Sequence, residues 1–365
     1  MDHKRRLQNL RESFSSRKLD AMLVSHSPNV RYLCGFTGSA GALVVDENGA
    51  AFFTDGRYGD QARNQVQGAR IRIARKSPLL AAAEWLADQA KRHGGKHLRR
   101  LGYEADNLSV AERDRLAAAL PSWFRLKPTS GTVEALRMIK DNDELSLIRA
   151  AVKLGASLFE SALQTIRAGV KEMEVAAQME FCARRKGAEA MSFETIIASG
   201  PRSAQPHGRA SDHAIPGGGF VVCDFGVILT GYCSDQTRTL FVGQPSAEMR
   251  RGYEAVREAQ QAALNAAGPG VAVGEVDAAA RKLLRQNGLA KYFTHSTGHG
   301  VGLEIHEAPR VATGQTEVLR PGMVITIEPG IYVPGQWGVR IEDMIVINDR
   351  GCEVLTPTTK ELLTI

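Results

Sequence analysis

The sequence predicts a mixed α/β (α+β) protein with a smaller domain over residues 1–130 and a larger one over residues 131–365. Two observations predict this class. Short apolar runs alternate with helical patterns in the first third of the chain, as they do in α/β domains. In the remainder, a helix, a Gly-Val turn and a second helix recur at an offset of 101 residues, and apolar strands follow each copy. We therefore expect an α/β domain followed by an internally duplicated one with pseudo-two-fold symmetry.

The smaller domain should begin with a helix over residues 7–18 and a strand over residues 20–24, as the spacing of their apolar residues indicates. A hairpin over residues 41–53 follows, because its Asn48-Gly49 dipeptide favours the positive φ of a tight turn. A further helix and a strand near residues 70–74 complete the predicted pattern.

The larger domain is expected to begin after the polar, turn-rich stretch at residues 127–131. Asp141, Asp143 and Glu144 then precede a long amphipathic pattern, as is typical of a helix start. The repeat is visible in the turns, where Gly169-Val170 corresponds to Gly270-Val271. Chance similarity between two alanine-rich helix pairs is the alternative explanation.

Composition and charge exclude several classes of protein. With 43% hydrophobic and 24% charged residues, the chain has the composition of a soluble globular protein. We expect no membrane span, because no run approaches ~18 apolar residues, and no signal peptide, because residues 1–12 lack its apolar centre. Five widely spaced cysteines suggest no disulfide framework and favour the cytoplasm. The net charge is +6, and the basic residues are scattered apart from the runs at residues 4–6 and 96–100. Because aromatic residues also make up only 6%, nucleic acid is not an expected partner.

Four acidic residues stand at the ends of apolar strands in the duplicated part. Asp224 and Asp235 flank a turn in the first copy, and Glu328 and Glu342 flank a turn in the second. A single acid of this kind is usually an ordinary surface residue. Antiparallel strands would bring each pair side by side, and the pseudo-symmetry would then bring the two pairs together. Because buried carboxylates repel one another and lose hydration, the arrangement predicts a site for divalent cations such as Mn²⁺.

Histidines accompany these acids. His295, His299 and His306 fall within twelve positions, among glycines that allow the backbone to approach a ligand closely. His207 lies in a segment rich in turn-forming residues. The remaining histidines are interpreted as structural or solvated, and they stand at positions 3, 26, 93, 97 and 213.

Five of these residues, in chain order, resemble the metal ligands of the pita-bread metallopeptidases, a family that includes methionine aminopeptidase, aminopeptidase P and prolidase. They are Asp224, Asp235, His299, Glu328 and Glu342. The segments around them are also similar to the family's signatures, at residues 222–226, 234–239, 298–302, 327–332 and 339–343. Residues 31–41 and 54–58 resemble the creatinase/prolidase N-terminal domain, which methionine aminopeptidases lack. The resemblance therefore indicates the proline-specific branch.

The resemblance implies two divalent metal ions, with Mn²⁺ expected and Co²⁺ or Zn²⁺ as alternatives. Asp235 and Glu342 would bridge the ions. Asp224 would hold one ion, and His299 with Glu328 would hold the other. Two such ions lower the pKa of a shared water, so that hydroxide is available to attack the carbonyl before proline. Glu328 is then a candidate proton acceptor.

The resemblance also implies a set of catalytic and substrate-binding residues. The catalytic set is His207, His295, His306 and Arg340, and the substrate-binding set is His207, His295 and Tyr332. His306 and His207 would stabilise the oxyanion or carry a proton to the departing proline nitrogen. For Tyr332 and Arg340, packing within a hairpin is an equally good interpretation.

The predicted function is that of an aminopeptidase P, which removes the residue before proline from peptides, and the alternative is an Xaa-Pro dipeptidase (prolidase). A metal-free creatinase-type hydrolase and a non-catalytic binding module are rivals that the intact ligand set disfavours. A dipeptidase needs a cation for the free carboxylate of its substrate, and Arg57, Arg209 or a neighbouring subunit could supply it. The expected partners are proline-containing peptides and other copies of this chain in a homodimer or larger homo-oligomer. Neither nucleic acid nor a membrane is expected.

Overall fold

A computed structural model describes residues 1–92 and 99–365 of the chain. His93, His97 and residues 96–98 of the basic run lie outside the described residues. The chain divides into two compact units, unit 1 at Met1–Arg137 and unit 2 at Met138–Ile365.

The division between the units falls later than the predicted boundary at residue 130. The segment after that position is tied to unit 1 by hydrogen bonds. Asn29 Nδ2 donates to Glu134 Oε1 at 2.6 Å, and Arg137 Nη1 donates to Asn29 Oδ1 at 2.7 Å. Residues 127–129 of the turn-rich stretch belong to a strand (Phe124–Thr129), so only Ser130 and Gly131 follow it, and the chain stays within unit 1 as far as Arg137.

The described part of unit 1 is a mixed sheet with helices. Its strands are β1 (Ala21–Val24), β2 (Gly41–Asp46), β3 (Gly49–Asp55), β4 (Arg70–Ala74), β5 (Arg99–Glu104) and β6 (Phe124–Thr129). Their order is β4-β3-β2-β1-β5-β6, and β3/β4, β1/β5 and β5/β6 are parallel pairs. Its helices are α1 (His3–Glu12), α2 (Phe14–Arg17), α3 (Ser27–Cys34), α4 (Gly59–Gln65), α5 (Pro78–Arg92), α6 (Val110–Ala119) and α7 (Glu134–Arg137), with a 3₁₀ turn at Gly56–Tyr58. Apolar side chains of the central strands pack against Leu86 of α5.

Two predicted details of unit 1 are wrong. The single helix expected over residues 7–18 is interrupted between α1 and α2, where Ser13 Oγ donates to the Leu10 carbonyl and competes with the helical pattern. In the hairpin, neither Asn48 nor Gly49 has a positive φ. Instead, Asp46 Oδ1 accepts hydrogen bonds from the backbone N–H groups of Asn48 and Gly49, both at 2.9 Å, so an Asx turn reverses the chain.

The helices of unit 2 confirm the internal duplication. They are α8 (Asn142–Thr165), α9 (Glu172–Arg185), α10 (Ala247–Ala266) and α11 (Val273–Gln286), with 3₁₀ turns at Gly200–Ala204 and Ala290–Tyr292. Helices α9 and α11 each have 14 residues and start 101 residues apart, as their bounds show. The turns before them use Gly169 and Gly270, whose φ values of +87° and +86° exclude most other residues. The predicted start of α8 is a capping box between Asp141 and Glu144.

The strands of unit 2 carry the predicted acids. The first half contains β7 (Ala190–Met191), β8 (Ile196–Ser199), β9 (Gly219–Phe225), β10 (Val227–Leu229), β11 (Tyr232–Cys233) and β12 (Gln236–Val242). The second half contains β13 (Gly298–Gly300), β14 (Glu307–Val311), β15 (Val324–Ile327), β16 (Gly330–Val333), β17 (Trp337–Arg340), β18 (Asp343–Asn348) and β19 (Gly351–Val354). Within the described residues the sheets run β11-β10-β7, β12-β9-β8, β14-β13-β15-β18-β19 and β16-β17.

The two halves share a nested arrangement. In each, an outer antiparallel pair, β9/β12 or β15/β18, encloses an inner hairpin, β10/β11 or β16/β17. The sequence predicted only one hairpin for each half. In the described ranges 1–92 and 99–365, no helix has both the length and the apolar character needed to cross a bilayer.

Candidate functional site

Each half of unit 2 brings its two acids to one end of a strand pair. Asp224 lies on β9 opposite Thr237 of β12, and Asp235 directly precedes β12. In the second half, Glu328 follows β15 and Glu342 precedes β18, whose ends pair with each other. Both pairs therefore sit where an outer strand pair gives way to its inner hairpin.

Thr237 joins the two halves at this point. Its hydroxyl donates to Glu342 Oε2 at 2.7 Å, and its carbonyl accepts a hydrogen bond from the Glu342 N–H at 3.1 Å. Two residues further along the same strand, Thr239 Oγ1 donates to the carbonyl of Arg340 at 2.8 Å. These bonds bring the first pair of acids against the second, as the pseudo-symmetry predicted.

His299, on β13, points its imidazole towards the carboxylates of Asp235 and Glu328. Its Nε2 lies 3.6 Å from Asp235 Oδ2 and 3.5 Å from Glu328 Oε1. Its Nδ1 faces the Gly300 carbonyl at 3.0 Å, and because a carbonyl only accepts, Nδ1 carries the proton. Burial lowers the pKa of His299 to about 4, so the ring is neutral and Nε2 presents a lone pair to the carboxylates. The lone pair and the negative carboxylate oxygens repel one another, and a cation between them could be coordinated by all of these atoms.

The carboxylates are poorly compensated by other groups. Burial, followed by the charges of Glu342, Asp224 and Glu328, raises the pKa of Asp235 well above its ordinary value. Burial likewise raises the pKa of Glu342 strongly and that of Glu328 to about 7. Asp224 Oδ1 is buried and has no hydrogen-bond partner among the described residues. A buried acceptor without a donor is costly unless an ion takes that place.

These residues fit divalent cations. Single ligand atoms of Asp235, His299 and Glu342 lie within 4.8 Å of one another. Carboxylate oxygens with one imidazole nitrogen form a donor set that suits hard or borderline ions such as Mn²⁺. The unpartnered Asp224 oxygen and the Nε2 lone pair of His299 point to the same kind of ion.

Arg340 is the buried cation beside the acids. Its side chain is 4% exposed, and Nη2 contacts Asp224 Oδ2. Nε donates to Thr237 Oγ1 at 3.1 Å, and Nη1 donates to the Pro206 carbonyl at 3.0 Å and to Tyr332 Oη at 2.7 Å. One guanidinium thus connects an acid of the first half, the chain next to His207 and the inner hairpin of the second half.

Tyr332 and His295 continue this connection. Because Tyr332 Oη accepts from Arg340, its own O–H is available for His295 Nε2 at 2.9 Å. His295 Nδ1 faces the Ser296 carbonyl at 2.8 Å, and burial lowers the pKa of the ring to about 4. His295 is therefore neutral with both nitrogens engaged. Tyr332 is not among the described residues that line the cavity next to the acids.

That cavity measures about 670 Å³. All the predicted ligands border it, together with His207, His295, His306 and Arg340. The rings of His299 and His306 meet edge to face with centroids 4.4 Å apart. Burial and the nearby His207 lower the pKa of His306, which favours its neutral form. The volume is that of a pocket for a small ligand.

Sequence reasoning missed several residues of the cavity wall. Arg310, on β14, lies directly opposite His299 of β13, and Phe193 and Glu194 form another part of the wall. Arg310 follows His306 by four residues, and even spacing along an extended segment would have been a signal for a shared face. Arg209 also borders the cavity, although its Nε pairs with Glu194 at 2.9 Å.

Comparison with known proteins extends the resemblance to both units. The metallopeptidase family M24 model matches residues 146–349, and the creatinase/prolidase N-terminal domain model matches residues 6–139. The Xaa-Pro dipeptidase of Pyrococcus furiosus is 37% identical over 99% of this chain and 100% of its own length. The structure of the Xaa-Pro dipeptidase from Bacillus anthracis matches with a TM-score of 0.94 at 41% identity, covering 100% of both chains. That of the X-Pro aminopeptidase from Thermotoga maritima matches with a TM-score of 0.87 at 34% identity, covering 98% of this chain and 99% of the other. The chain therefore belongs to metallopeptidase family M24 and carries a creatinase/prolidase N-terminal domain.

Proposed function

We propose that this metallopeptidase hydrolyses the Xaa-Pro bond of dipeptides. The named relatives favour this dipeptidase alternative over the aminopeptidase P-like function that the sequence predicted. The observation that supports it within the chain is Arg310, a cation that borders the same cavity as the carboxylates and lies opposite His299. The X-Pro aminopeptidase relative keeps cleavage of longer peptides as the second candidate.

Metallopeptidases of family M24 act with divalent metal ions, and we propose two of them here, with Mn²⁺ first and Co²⁺ or Zn²⁺ as alternatives. Asp235 and Glu342 would contact both ions, Asp224 one, and His299 with Glu328 the other. When bound, such ions supply a water of lowered pKa and polarise the carbonyl of the substrate. A cytoplasmic location and a homo-oligomeric assembly stay predictions.

The chain's own residues would orient the substrate and handle the proton. Neutral His306 can donate an N–H to the oxygen that becomes negative in the transition state. His207, on the cavity wall, is suited to pass a proton to the departing nitrogen. That nitrogen carries no hydrogen before cleavage because it belongs to proline. Arg340 would keep Asp224 and the chain at Pro206 in fixed relative positions.

Arg310 would set the length of the substrate. In a dipeptide, the proline carries a free carboxylate, which a guanidinium can bind through two hydrogen bonds. In a tripeptide, a neutral amide takes that place, so the arginine loses its ionic partner. Discrimination between the two substrates would then come from this contact, since the reacting carbonyl is the same in both.

We expect kcat/KM for Ala-Pro to exceed that for Ala-Pro-Ala by about a hundredfold, or ~2.7 kcal/mol. In Arg310→Met the preference should shrink below about tenfold, because only the dipeptide loses an ion pair. Arg209→Met is the matched control, since Arg209 borders the same cavity but already has Glu194 as a partner. Equal kcat/KM values for the two substrates in the unaltered enzyme would contradict the dipeptidase proposal and support the aminopeptidase.

Metal ions should stabilise the protein more at pH 8 than at pH 5.5. Without metal, the pKa values of Asp235, Glu328 and Glu342 are raised, so these groups stabilise the folded protein while they are protonated. For Glu328 this stabilisation is lost as pH rises from its ordinary pKa of 4.5 through its raised pKa of about 7. His295 and His299, with pKa values lowered to about 4, act in the opposite direction and cost stability as pH falls below 6.5. Metal binds only deprotonated ligands, so its contribution grows between pH 5.5 and pH 8 through the carboxylates, whereas the two histidines are already neutral in the folded protein at pH 5.5.

The measurement is the Tm of the enzyme with Mn²⁺ minus its Tm with a chelator, at both pH values. In Glu342→Ala, which removes one proposed ligand, added Mn²⁺ should raise the Tm little at either pH. A difference in Tm that is the same at pH 5.5 and pH 8 in the unaltered enzyme would be inconsistent with metal binding by these carboxylates.

A further inference from the structure

Each half of unit 2 contains a fully buried carboxylate near the start of its second helix. Glu172 is the first residue of α9, and Asp277 lies in the second turn of α11. Both residues are 0% exposed. Neither borders the cavity, and the proposed reaction uses neither. Each accepts hydrogen bonds from hydroxyl groups and from one arginine.

Glu172 ties together the two ends of the segment that carries His207. At one end, Glu172 Oε1 accepts from Ser199 N at 2.8 Å and from Ser199 Oγ at 2.9 Å. At the other end, Oε2 accepts from Ser211 Oγ at 2.8 Å and from Ser211 N at 3.2 Å. Arg202 Nε donates to the same carboxylate at 3.0 Å, and its Nη2 donates to the carbonyl of Arg209 at 2.7 Å.

Asp277 ties down the segment that carries His295 and His299. Its Oδ1 accepts from Thr297 Oγ1 at 2.7 Å, and its Oδ2 accepts from Thr313 Oγ1 at 2.7 Å and from Arg281 Nε at 2.8 Å. Arg281 Nη2 donates to the His295 carbonyl at 2.5 Å.

The Asp277 network ends next to a proposed ligand. The Thr297 carbonyl accepts the backbone N–H of Glu328 at 2.7 Å, so Thr297 lies between the buried carboxylate and the acids. Burial tends to raise the pKa of Asp277, but the hydrogen bonds from Arg281, Thr313 and Thr297 outweigh it and leave the pKa lowered. The carboxylate is therefore ionised at neutral pH.

We propose that these two carboxylate–arginine pairs are separate positioning devices, Glu172–Arg202 for the substrate side of the cavity and Asp277–Arg281 for its metal side. The first pair holds the segment of His207 and Arg209, and the second holds the segment of His295 and His299. The assignment of the two sides rests on the proposed function.

The physical basis is the number of bonds that one buried carboxylate can organise. A carboxylate has about four acceptor positions, and in a buried environment each charge-assisted bond is stronger than in water. Segments without a regular ladder of backbone bonds otherwise have freedom to move. A reaction slows greatly when its reacting groups are displaced by ~1 Å. Substitution of residues that orient metal ligands commonly lowers metal affinity by about 10- to 100-fold.

The test compares Glu172→Gln with Asp277→Asn. Each substitution keeps the shape of the side chain, removes its charge and replaces one acceptor oxygen by an NH₂ group, which can only donate. Asp277→Asn should weaken Mn²⁺ binding at least about tenfold, measured as the dissociation constant of the ion by electron paramagnetic resonance. Glu172→Gln should leave that constant within about twofold and raise KM for Ala-Pro about tenfold. Thr297→Val removes one donor to Asp277, and Ser211→Ala removes one donor to Glu172. Each should act in the same direction as the variant of its carboxylate, with a smaller effect. They replace the first variants if those do not fold.

A merely structural role predicts a different result. It would lower the Tm of both variants and leave the Mn²⁺ dissociation constant and KM of the folded fraction unchanged, which would overturn the proposal. Equal loss of Mn²⁺ binding in Glu172→Gln and Asp277→Asn would also overturn it, because the devices would not be separate. Asp277→Glu, which restores a carboxylate, should recover part of the Mn²⁺ affinity. If the unaltered enzyme binds Mn²⁺ without cleaving Ala-Pro, the proposed function fails alone, since the Mn²⁺ measurements still test the Asp277 pair.

Discussion

Replacing Asp235 by alanine is expected to abolish hydrolysis of Ala-Pro and to remove bound metal. Asp235 is 5% exposed, and its carboxylate lies within reach of His299 and of Glu342. If it contacts both ions, as proposed, its loss disturbs the whole centre. We expect kcat/KM to fall at least a thousandfold, or ~4 kcal/mol in the barrier, and the metal content to fall with it. Steady-state kinetics and elemental analysis of the purified variant measure both quantities.

His306→Ala is the control for this experiment. His306 borders the same cavity and its ring touches that of His299, but it is not among the proposed ligands. This variant should keep its metal and lose about a hundredfold in rate, as expected for a lost hydrogen-bond donor to the transition state. An Asp235→Ala enzyme that keeps full metal content and more than about a tenth of the rate would contradict the bridging role.

Replacing Arg340 by methionine is expected to destabilise the fold as well as the site. The guanidinium is buried and satisfies Asp224, Thr237 and Tyr332 at once. Removing one member of a buried ion pair leaves an uncompensated charge and typically costs about 3–5 kcal/mol. Its charge also lowers the pKa of Asp235 and of Glu328, so its loss would favour protons over metal at both residues. Urea unfolding with and without Mn²⁺ measures the loss of stability.

Tyr332→Phe separates the charge from the hydrogen-bond network. This variant keeps the aromatic ring and the Arg340–Asp224 pair, and it removes only the hydroxyl between Arg340 and His295. We expect a loss of about 1–2 kcal/mol in the free energy of unfolding, since one buried donor and one acceptor lose a partner. If Arg340→Met costs no more than Tyr332→Phe, the ion pair with Asp224 does not have the weight assigned to it.

The sequence by itself determined the features that depend on near neighbours and on repetition. The Gly-Val turns and the capping box at Asp141 follow from spacing within a few residues, and the offset between α9 and α11 follows from the repeat. The acids at the strand ends were predictable for a related reason. Because the acids occur as duplicated pairs, packing of the two halves was expected to bring them together. The close approach of Asp235, His299 and Glu342 in the structure agrees with that expectation.

Only the tertiary structure decided how these acids are supported and what else faces them. Asp224 meets Arg340 across 116 positions of the chain, and Thr237 meets Glu342 across 105. Arg310 reaches the cavity because β14 pairs with β13 in a register that places it opposite His299. Local sequence pattern reports the face and the period of one element, whereas these contacts depend on how strands from both halves align. That alignment follows from packing of the whole unit, in which the sum of many weak contacts selects one register.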